Sequence, residues 1–377
     1  MATAQEAGRP QPQTTVDPNA GGPFIRYAQP GRGPMYVANN AMGTLITNPL
    51  VAKPGYLSRF RINHTLITGG TLTSAVLSAD APYDVVQQLF LKDAFGTVLF
   101  TGGGFDIAYL VGLYGGGWGL GYTASPANLP SYSALSATTG AGSFSYALPL
   151  EYAKGVGLMS AANASLVPQL NITLSPFATV FGAGTGTAPT VQTTVDADYY
   201  WLPEGNTSVL PPGLGSTRQW ITVNANPTIA ASSSTRVQFP RLGGYLDTIV
   251  MEFRDSTGAR TDGFLPTGRF QFFIDGVPYL DTTIPELEDD MAIQFGFESS
   301  VTRPTGTLAI SRKTSLGNQS LGLLDTGEQY LSTSPATLVE ALIAPAGAGS
   351  NSPATMSVLV GQIVPTGSMI FGLPEAA

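Results

Sequence analysis

The sequence predicts an all-β chain made of two tandem β-domains with about eight strands each. The length of 377 residues exceeds one ordinary domain and suggests two. Short apolar runs alternate with segments rich in Gly, Pro, Ser and Thr, which is typical of strands joined by loops. The two halves also end on a similar pattern, which indicates that the architecture repeats.

The first residues, 1–33, are predicted to be a flexible N-terminal arm, because Pro, Gln, Gly and Thr offer little apolar surface to bury. Phe24, Ile25 and Tyr27 are candidates to anchor the end of this arm, with a frayed terminus as the alternative. The opening MATAQEAGRPQPQTTVDPNAGG has no apolar core of a secretory signal. We therefore expect a protein made inside a cell, which stays there or leaves within a larger particle.

The first β-domain is assigned to residues 34–205. Within it, residues 56–67 alternate apolar and polar side chains, and residues 85–100 favour two strands around a turn. The run at 104–114 fits either a helix, with Asp106 as a cap near its start, or a buried strand. Residues 115–143 form an unusually long loop of small residues. Three further strands are expected from YALPLEY, PQLNITLS and TVQTTVDADYYWLP.

The second half begins after a predicted linker at 206–217, NTSVLPPGLGST, whose adjacent prolines block a continuing ladder. The second β-domain is assigned to residues 218–377. IPELEDDMA (284–292) is expected to be a short helix, because acids in the first turn suit the helix dipole. Strand candidates are RQWITVNAN, YLDTIVMEFRD, GRFQFFIDGVPYL and MAIQFGFE.

The repeat links LNITLSPFATVFGAGTGTAPTVQTTVDADYYWLP to LVEALIAPAGAGSNSPATMSVLVGQIVPTG. Each segment has a strand, a bend at Pro, a GAG loop and a closing strand that stops at Pro. Gly182 corresponds to Gly347, and Thr190 to Thr355. The GAGTGT loop lacks a following GK[ST], the dinucleotide spacing and a helix, so we interpret it as a connection between strands rather than a phosphate site.

Candidate catalytic and binding residues are few. His64, the only histidine, lies in an alternating strand and is expected to be structural, since no nucleophile elbow accompanies it. The chain has no cysteine, so thiolate metal sites are excluded. Its net charge of −8 and scattered basic residues argue against direct, sequence-specific nucleic-acid binding.

Two groups of carboxylates have a chemical and a structural interpretation. Asp196 and Asp198 share one face of a strand, which fits a Ca²⁺ ion or an exposed strand face. The second group consists of Glu286, Glu288, Asp289 and Asp290. These residues could supply the two carboxylates of a glycosidase, but adjacent acids on one turn more often form a solvated helix start. We predict no catalytic, cofactor-binding or metal residue.

The first half resembles the double jelly-roll major capsid proteins of tailless icosahedral viruses, the tectivirus–adenovirus lineage that includes bacteriophages. The resemblance lies in ALPLEYAKGVGLMSAANASLVPQLNITLSP (147–176) and VVQQLFLKDAFGTVLFTGGGFDIAYLVGL (85–113), about a quarter of the chain. It implies two tandem eight-stranded jelly-roll β-sandwiches with short helices and long loops. This family has no catalytic residues to carry over, so the expected protein is not an enzyme and needs no cofactor.

The resemblance also implies how the protein acts. It would form a homotrimer whose jelly rolls make a pseudo-hexagonal block, and these blocks would tile an icosahedral virion shell assembled in the host cytoplasm. Partners would be neighbouring capsomers, minor capsid or penton proteins and an internal viral membrane reached by the arm. The alternative is a phage receptor-binding or carbohydrate-binding β-sandwich, for which Tyr199, Tyr200 and Trp201 could supply an aromatic patch.

Overall fold

The computed structural model describes residues 24, 27–49, 55–107, 132–151, 155–160, 168–202, 210–211, 216–223, 234–239, 245–263, 269–295, 305–311, 331–332, 338–343 and 354–365. In this part of the chain, regular structure is almost entirely β. The strands are β1 (Gln29–Ala41), β2 (Leu45–Pro49), β3 (Tyr56–Ile67), β4 (Val86–Lys92), β5 (Val98–Gly102), β6 (Gly142–Pro149), β7 (Met159–Ser160), β8 (Gln169–Leu174), β9 (Thr190–Trp201), β10 (Ser216–Val223), β11 (Thr235–Gln238), β12 (Tyr245–Arg254), β13 (Arg269–Ile274), β14 (Val277–Thr283), β15 (Thr307–Ser311), β16 (Leu331–Ser332), β17 (Val339–Ile343) and β18 (Thr355–Pro365). The helices are α1 (Phe177–Phe181) and α2 (Ile284–Phe295).

Strands β1 to β9 form the first jelly roll. One of its sheets has the order β1-β9-β3-β6, with β7 beside β3, and the other has the order β2-β8-β4-β5. The chain alternates between the two sheets, apart from the β4–β5 hairpin and the short β7. This alternation closes a sandwich in which each sheet covers the apolar face of the other.

Strands β10 to β18 repeat the same plan. The order β15-β12-β18-β10 corresponds to the first sheet, and β11-β17-β13-β14 corresponds to the second. The predicted equivalence of the two closing strands is confirmed, because β9 begins at Thr190 and β18 at Thr355, and each lies between two antiparallel neighbours. The chain is therefore a double jelly roll, as the sequence predicted.

The core of each jelly roll is built by the residues that alternate along its strands. In β3 the buried positions include Phe60, Ile62, His64 and Leu66. In the neighbouring β9, every second residue from Val191 to Ala197 is buried. Since successive side chains of a strand point to opposite faces, this pattern aims one face of the sheet at the core.

The two jelly rolls are joined through one sheet. β5 of the first runs parallel to β10 of the second, with Phe100 beside Trp220 and Thr101 beside Ile221. This short contact merges two four-stranded orders, together with β16, into a sheet of nine strands.

Three sequence-based boundaries need correction. Met291–Phe295, predicted as the start of a strand, continues helix α2, because Ile284, Leu287 and Met291 are buried at helical spacing. Residues 29–33, assigned to the arm, belong to β1 because they pair with β9. Ser216 and Thr217, assigned to the linker, begin β10.

Several predicted elements lie wholly or partly outside the described residues. Only 104–107 of the run at 104–114 and 132–143 of the long loop are described. Ile25, Gly347 and most of the linker at 206–217 also lie outside the described residues.

Candidate assembly surfaces and polar clusters

His64 is a structural residue of the first core, as predicted. It is fully buried, and its ring nitrogens lie 3.0 Å from Thr193 Oγ1 and 3.0 Å from the Tyr146 hydroxyl. Burial lowers the pKa of the imidazole to about 3. The ring therefore remains neutral at physiological pH and serves as a hydrogen-bonded bridge between β3, β9 and β6.

Asp198 lies at the centre of an arginine cluster on the outer face of the first sheet. Its carboxylate is 2.6 Å from Arg32 Nε and 2.8 Å from the Nε atoms of both Arg59 and Arg61. Burial would raise the pKa of Asp198, but hydrogen bonds and charge from Arg32 and Arg61 outweigh this and hold it below its ordinary value. Asp196 shares this face, as predicted. The cluster connects β1, β9 and β3, and three cations around the carboxylate would compete with a metal ion.

The acidic group in α2 contributes to the start of the helix. The Glu286 carboxylate accepts a hydrogen bond from the backbone N–H of Thr283 at 2.9 Å, and the Thr283 hydroxyl accepts one from the N–H of Glu286 at 3.4 Å. This reciprocal pair is a capping box. Asp289 and Asp290 are exposed on the following turn and Glu288 is half-buried, which agrees with a solvated helix start. Among the described residues, no group of three or more His, Asp or Glu side chains could hold a metal ion.

The GAGTGT loop is a packed connection into β9. Thr185 and Thr73 exchange two backbone hydrogen bonds of 2.9 Å, which fasten the loop to the segment before β4. A Cβ atom on Gly184 would lie only 2.9 Å from the Cα of Ala75, so the close approach requires glycine. A strand follows the loop, so no helix N-terminus is available there to present N–H groups to a phosphate.

Phe24 anchors the beginning of the first jelly roll. It is 2% exposed and packs edge-on against Tyr56 and Tyr200, with ring centroids 5.5 and 6.1 Å apart. The anchoring role predicted for Phe24 is confirmed, whereas Tyr27 is exposed. Tyr200 is half-buried against this cluster, so it contributes to packing as well as to the aromatic patch considered with Tyr199 and Trp201.

Side chains of β10 extend the short contact between the jelly rolls. The Thr217 hydroxyl donates to the Leu150 carbonyl at 2.8 Å, and the Gln219 side-chain amide donates to the Val98 carbonyl. Trp220 is 1% exposed at the centre of the contact. The junction is therefore held along the length of β10 and not only by its two paired residues.

A partly buried charge cluster reinforces this junction. Asp80, from the first jelly roll, accepts hydrogen bonds from Arg254 Nη2 at 2.6 Å and Arg260 Nε at 2.9 Å, both from the second. The Arg260 guanidinium also lies 3.8 Å from the ring centroid of Phe105, a cation–π contact between the two jelly rolls. Glu252 adds a second carboxylate partner for Arg254.

Three carboxyl groups near the junction hold their protons unusually well. Burial raises the pKa of Glu252 to about 7, and those of Asp84 and Asp106 to about 6. The Thr222 hydroxyl lies within donating distance of the Thr101 carbonyl, at 2.9 Å, and of an Asp106 carboxyl oxygen, at 2.8 Å. Donation to Asp106 lowers its pKa, so this hydrogen bond offsets part of the effect of burial.

Sequence reasoning missed the junction because its partners are far apart in the chain. Asp80 and Arg254 are separated by 174 residues. The available signal was the occurrence of charged residues inside the strand YLDTIVMEFRD, in a chain with only 11% charged residues. Buried charges of this kind are usually paired.

Exposed apolar side chains lie on several edge strands, and Leu45 of β2 is 63% exposed. Val37 of β1 is 58% exposed, and Val277 and Tyr279 of β14 are 65% and 38% exposed. In the described residues, β1 pairs with β9 alone and β14 with β13 alone. Such edges are the surfaces on which another chain can pack. No helix within the described ranges is long and apolar enough to cross a membrane.

No family model matches the sequence, and no curated protein matches it either. Solved structures do. The major capsid protein of STIV, Sulfolobus turreted icosahedral virus, aligns with a TM-score of 0.61 and 14% identity over 92% of this chain and 100% of that one. The capsid of PBCV-1 virus aligns with a TM-score of 0.57 and 13% identity over 93% of this chain and 98% of that one. The major capsid protein P2 of bacteriophage PM2 aligns with a TM-score of 0.53 and 9% identity over 90% of this chain and 99% of that one.

These comparisons define the class of fold. The chain has the double jelly-roll fold of viral major capsid proteins, and it spans almost the full length of the capsid proteins to which it is similar. The structural resemblance inferred from the first half of the sequence is thus confirmed and extends to the second half.

Proposed function

We propose that the protein is the major capsid protein of an icosahedral virus and acts by self-assembly, without bond chemistry or a cofactor. The observation that carries the proposal is the similarity in fold to viral capsid proteins over at least 90% of both chains. A capsid location also suits the packing of its potentially reactive groups, since His64 and the junction carboxyls support structure rather than line a cleft.

The proposed assembly unit is a homotrimer, in which six jelly rolls form a pseudo-hexagonal block that tiles the shell. Support comes from the internal repeat, because two similar jelly rolls side by side make one third of such a ring. The low content of charged residues, 11%, also suits extended close contacts, since interface cores are depleted in Lys and Glu.

Further partners belong to the same proposal. The trimers contact neighbouring capsomers and minor capsid or penton proteins, and the N-terminal arm that precedes β1 is proposed as the route to an internal viral membrane. The two jelly rolls, residues 34–205 and 218–377 in the sequence-based division, act as the two similar blocks. Assembly takes place in the host cytoplasm, and no sequence-specific nucleic-acid contact is required.

The test is the size and shape of the purified protein. Light scattering coupled to size-exclusion chromatography should give three times the chain mass of 39.2 kDa. Negative-stain class averages should show rings with six lobes. A stable monomer at micromolar concentration, or selective binding of a glycan by that monomer, would contradict the proposal and favour the receptor-binding alternative.

A further inference from the structure

The junction inside the chain leaves one matching pair of edges unused. β5 is an edge strand of the order β2-β8-β4-β5, and β10 is an edge strand of the order β15-β12-β18-β10. Their equivalents are β14 in the second jelly roll and β1 in the first. In the described part of the chain, each of these two strands has a neighbour on one side only.

The register of β1 follows from its equivalence with β10. Trp220 and Pro34 each lie opposite the seventh residue of the closing strand, which is β18 for Trp220 and β9 for Pro34. Ile221 and Tyr36 lie opposite the sixth. Pro34 and Tyr36 therefore occupy the positions at which β10 meets β5.

The register of β14 follows in the same way. In the first jelly roll, Phe100 of β5 lies level with Leu170 of β8 across the intervening strand β4. In the second, Val277 of β14 lies level with Val339 of β17 across β13. Leu170 and Val339 each stand six residues before the Pro of the repeat, in LNITLSP and VEALIAP. Val277 therefore occupies the position at which Phe100 of β5 meets β10.

We propose that Val277–Tyr279 of β14 packs beside Pro34–Tyr36 of β1 in a second copy of this chain. This inference rests on the proposed trimer and identifies the contact that closes it. The junction within the chain is head-to-tail, and a contact of that kind, repeated between copies, generates a closed ring when the rotation between neighbours closes, as the proposed trimer requires. The exposed apolar side chains lie where this alignment requires them, since Val277 is 65% exposed and Pro34 is also exposed.

The contact is made mainly by side chains. Pro34 and Pro278 have no N–H to donate, so a continuous ladder between the two edges is interrupted. The two paired positions of β5 and β10 show that a short strand contact is sufficient when neighbouring side chains pack and hydrogen bond around it.

Disulfide trapping tests this contact directly. The chain has no cysteine, so any disulfide comes from introduced residues. Neighbouring strands lie about 4.8 Å apart, which is within the Cα separation that a disulfide accepts. In the double variant Pro34→Cys and Val277→Cys, mild oxidation should give a covalent three-chain species on a non-reducing gel. The matched control replaces Pro34→Cys by Asn39→Cys, an exposed residue about 16 Å further along β1.

The outcomes separate this inference from the proposed function. Trimers that become covalent in the variant carrying Pro34→Cys and Val277→Cys, but not in the Asn39→Cys control, support the contact. Trimers that fail to cross-link in the test pair, or that cross-link equally in both, overturn the contact and leave the capsid proposal standing. A monomer in light scattering overturns both.

A second variant keeps the test valid if the cysteine pair does not fold. Val277→Asp places a charge on a side chain that is exposed in the single chain, so the fold should persist while trimer dissociation increases about tenfold or more. The control is Val76→Asp, at a side chain that is 71% exposed and belongs to neither β1 nor β14, which should leave the trimer unchanged. Equal behaviour of the two variants would count against the contact.

Discussion

Replacing Asp80 by Asn should weaken the junction between the two jelly rolls. Its carboxylate receives hydrogen bonds of 2.6 and 2.9 Å from Arg254 and Arg260. The side chains of Asp80, Arg254 and Arg260 are 14%, 29% and 18% exposed, so solvent screens this cluster only in part. Loss of the negative charge therefore leaves two partly buried cations facing a neutral amide.

The size of the effect follows from the number of bonds and their burial. A hydrogen bond to a charged group contributes about 1.5–3 kcal/mol. The amide introduced by Asp80→Asn keeps one carbonyl acceptor, and Arg254 keeps Glu252 as a partner. We expect a loss of about 2–3 kcal/mol in the free energy of unfolding, between the values for surface and fully buried ion pairs.

The assay is urea unfolding followed by tryptophan fluorescence at one fixed protein concentration, since assembly also stabilises the fold. Trp220 lies at the junction and contributes to the signal together with Trp118 and Trp201. The matched control is Asp281→Asn, which breaks an Arg–Asp pair exposed by 38% at Asp281 and 58% at Arg269. The control should show no resolvable change. If Asp80→Asn loses no more stability than the control, the arginine cluster does not hold the jelly rolls together.

Three further predictions concern other parts of the fold. Because the pKa values of Glu252 and Asp106 are raised in the folded state, ionisation of these groups at higher pH lowers the free energy of unfolding. The melting temperature should therefore rise as the pH falls from about 8 to about 5.5, and the rise should be smaller in Glu252→Gln. The buried histidine opposes this below about pH 6.5, but as one group against several. Gly361→Ala should cost about 1–3 kcal/mol in a urea titration, because the new Cβ would meet the Trp220 ring at 2.7 Å. Phe24→Ala should expose the first residues of β1 to protease in a mass-spectrometric time course while the core stays folded, since Phe24 lies in a cluster separate from the main core.

The elements predicted correctly are those whose signal is local. Alternation in residues 56–67 predicted strand β3, and His64 was expected to be a structural residue of that strand. The structure places His64 on the buried face, because every second side chain of a strand faces the same side. The two closing strands were found through their shared pattern and begin at Thr190 and Thr355. Sequence alone therefore predicted the two jelly rolls.

The elements that sequence reasoning missed depend on competing or distant signals. Apolar and aromatic residues in Met291–Phe295 suggested a strand, but the Thr283–Glu286 capping box starts a helix whose buried face continues to Met291. The junction joins residues that are distant in the chain, as in the Gln219–Val98 hydrogen bond, whose partners are 121 positions apart. No periodicity within one segment can predict such a pairing.

Prolines distinguish the edges that pair within the chain from those proposed to meet another copy. β5 and β10 contain no proline and join through a ladder, whereas β1 carries Pro30 and Pro34 and β14 carries Pro278. Proline on an edge discourages uncontrolled strand addition, so a single chain can fold without adding strands from its neighbours.

This difference predicts how assembly responds to salt. A contact between β14 and β1 that depends on apolar side chains is strengthened by sulfate, because excluded salts favour burial of apolar surface. An assembly held by exposed ion pairs would instead be weakened by salt screening. Sedimentation velocity across a sulfate titration should therefore show the trimer fraction rising. A steady fall with ionic strength would mean that charge pairs, and not Val277 and its neighbours, dominate the contact between copies.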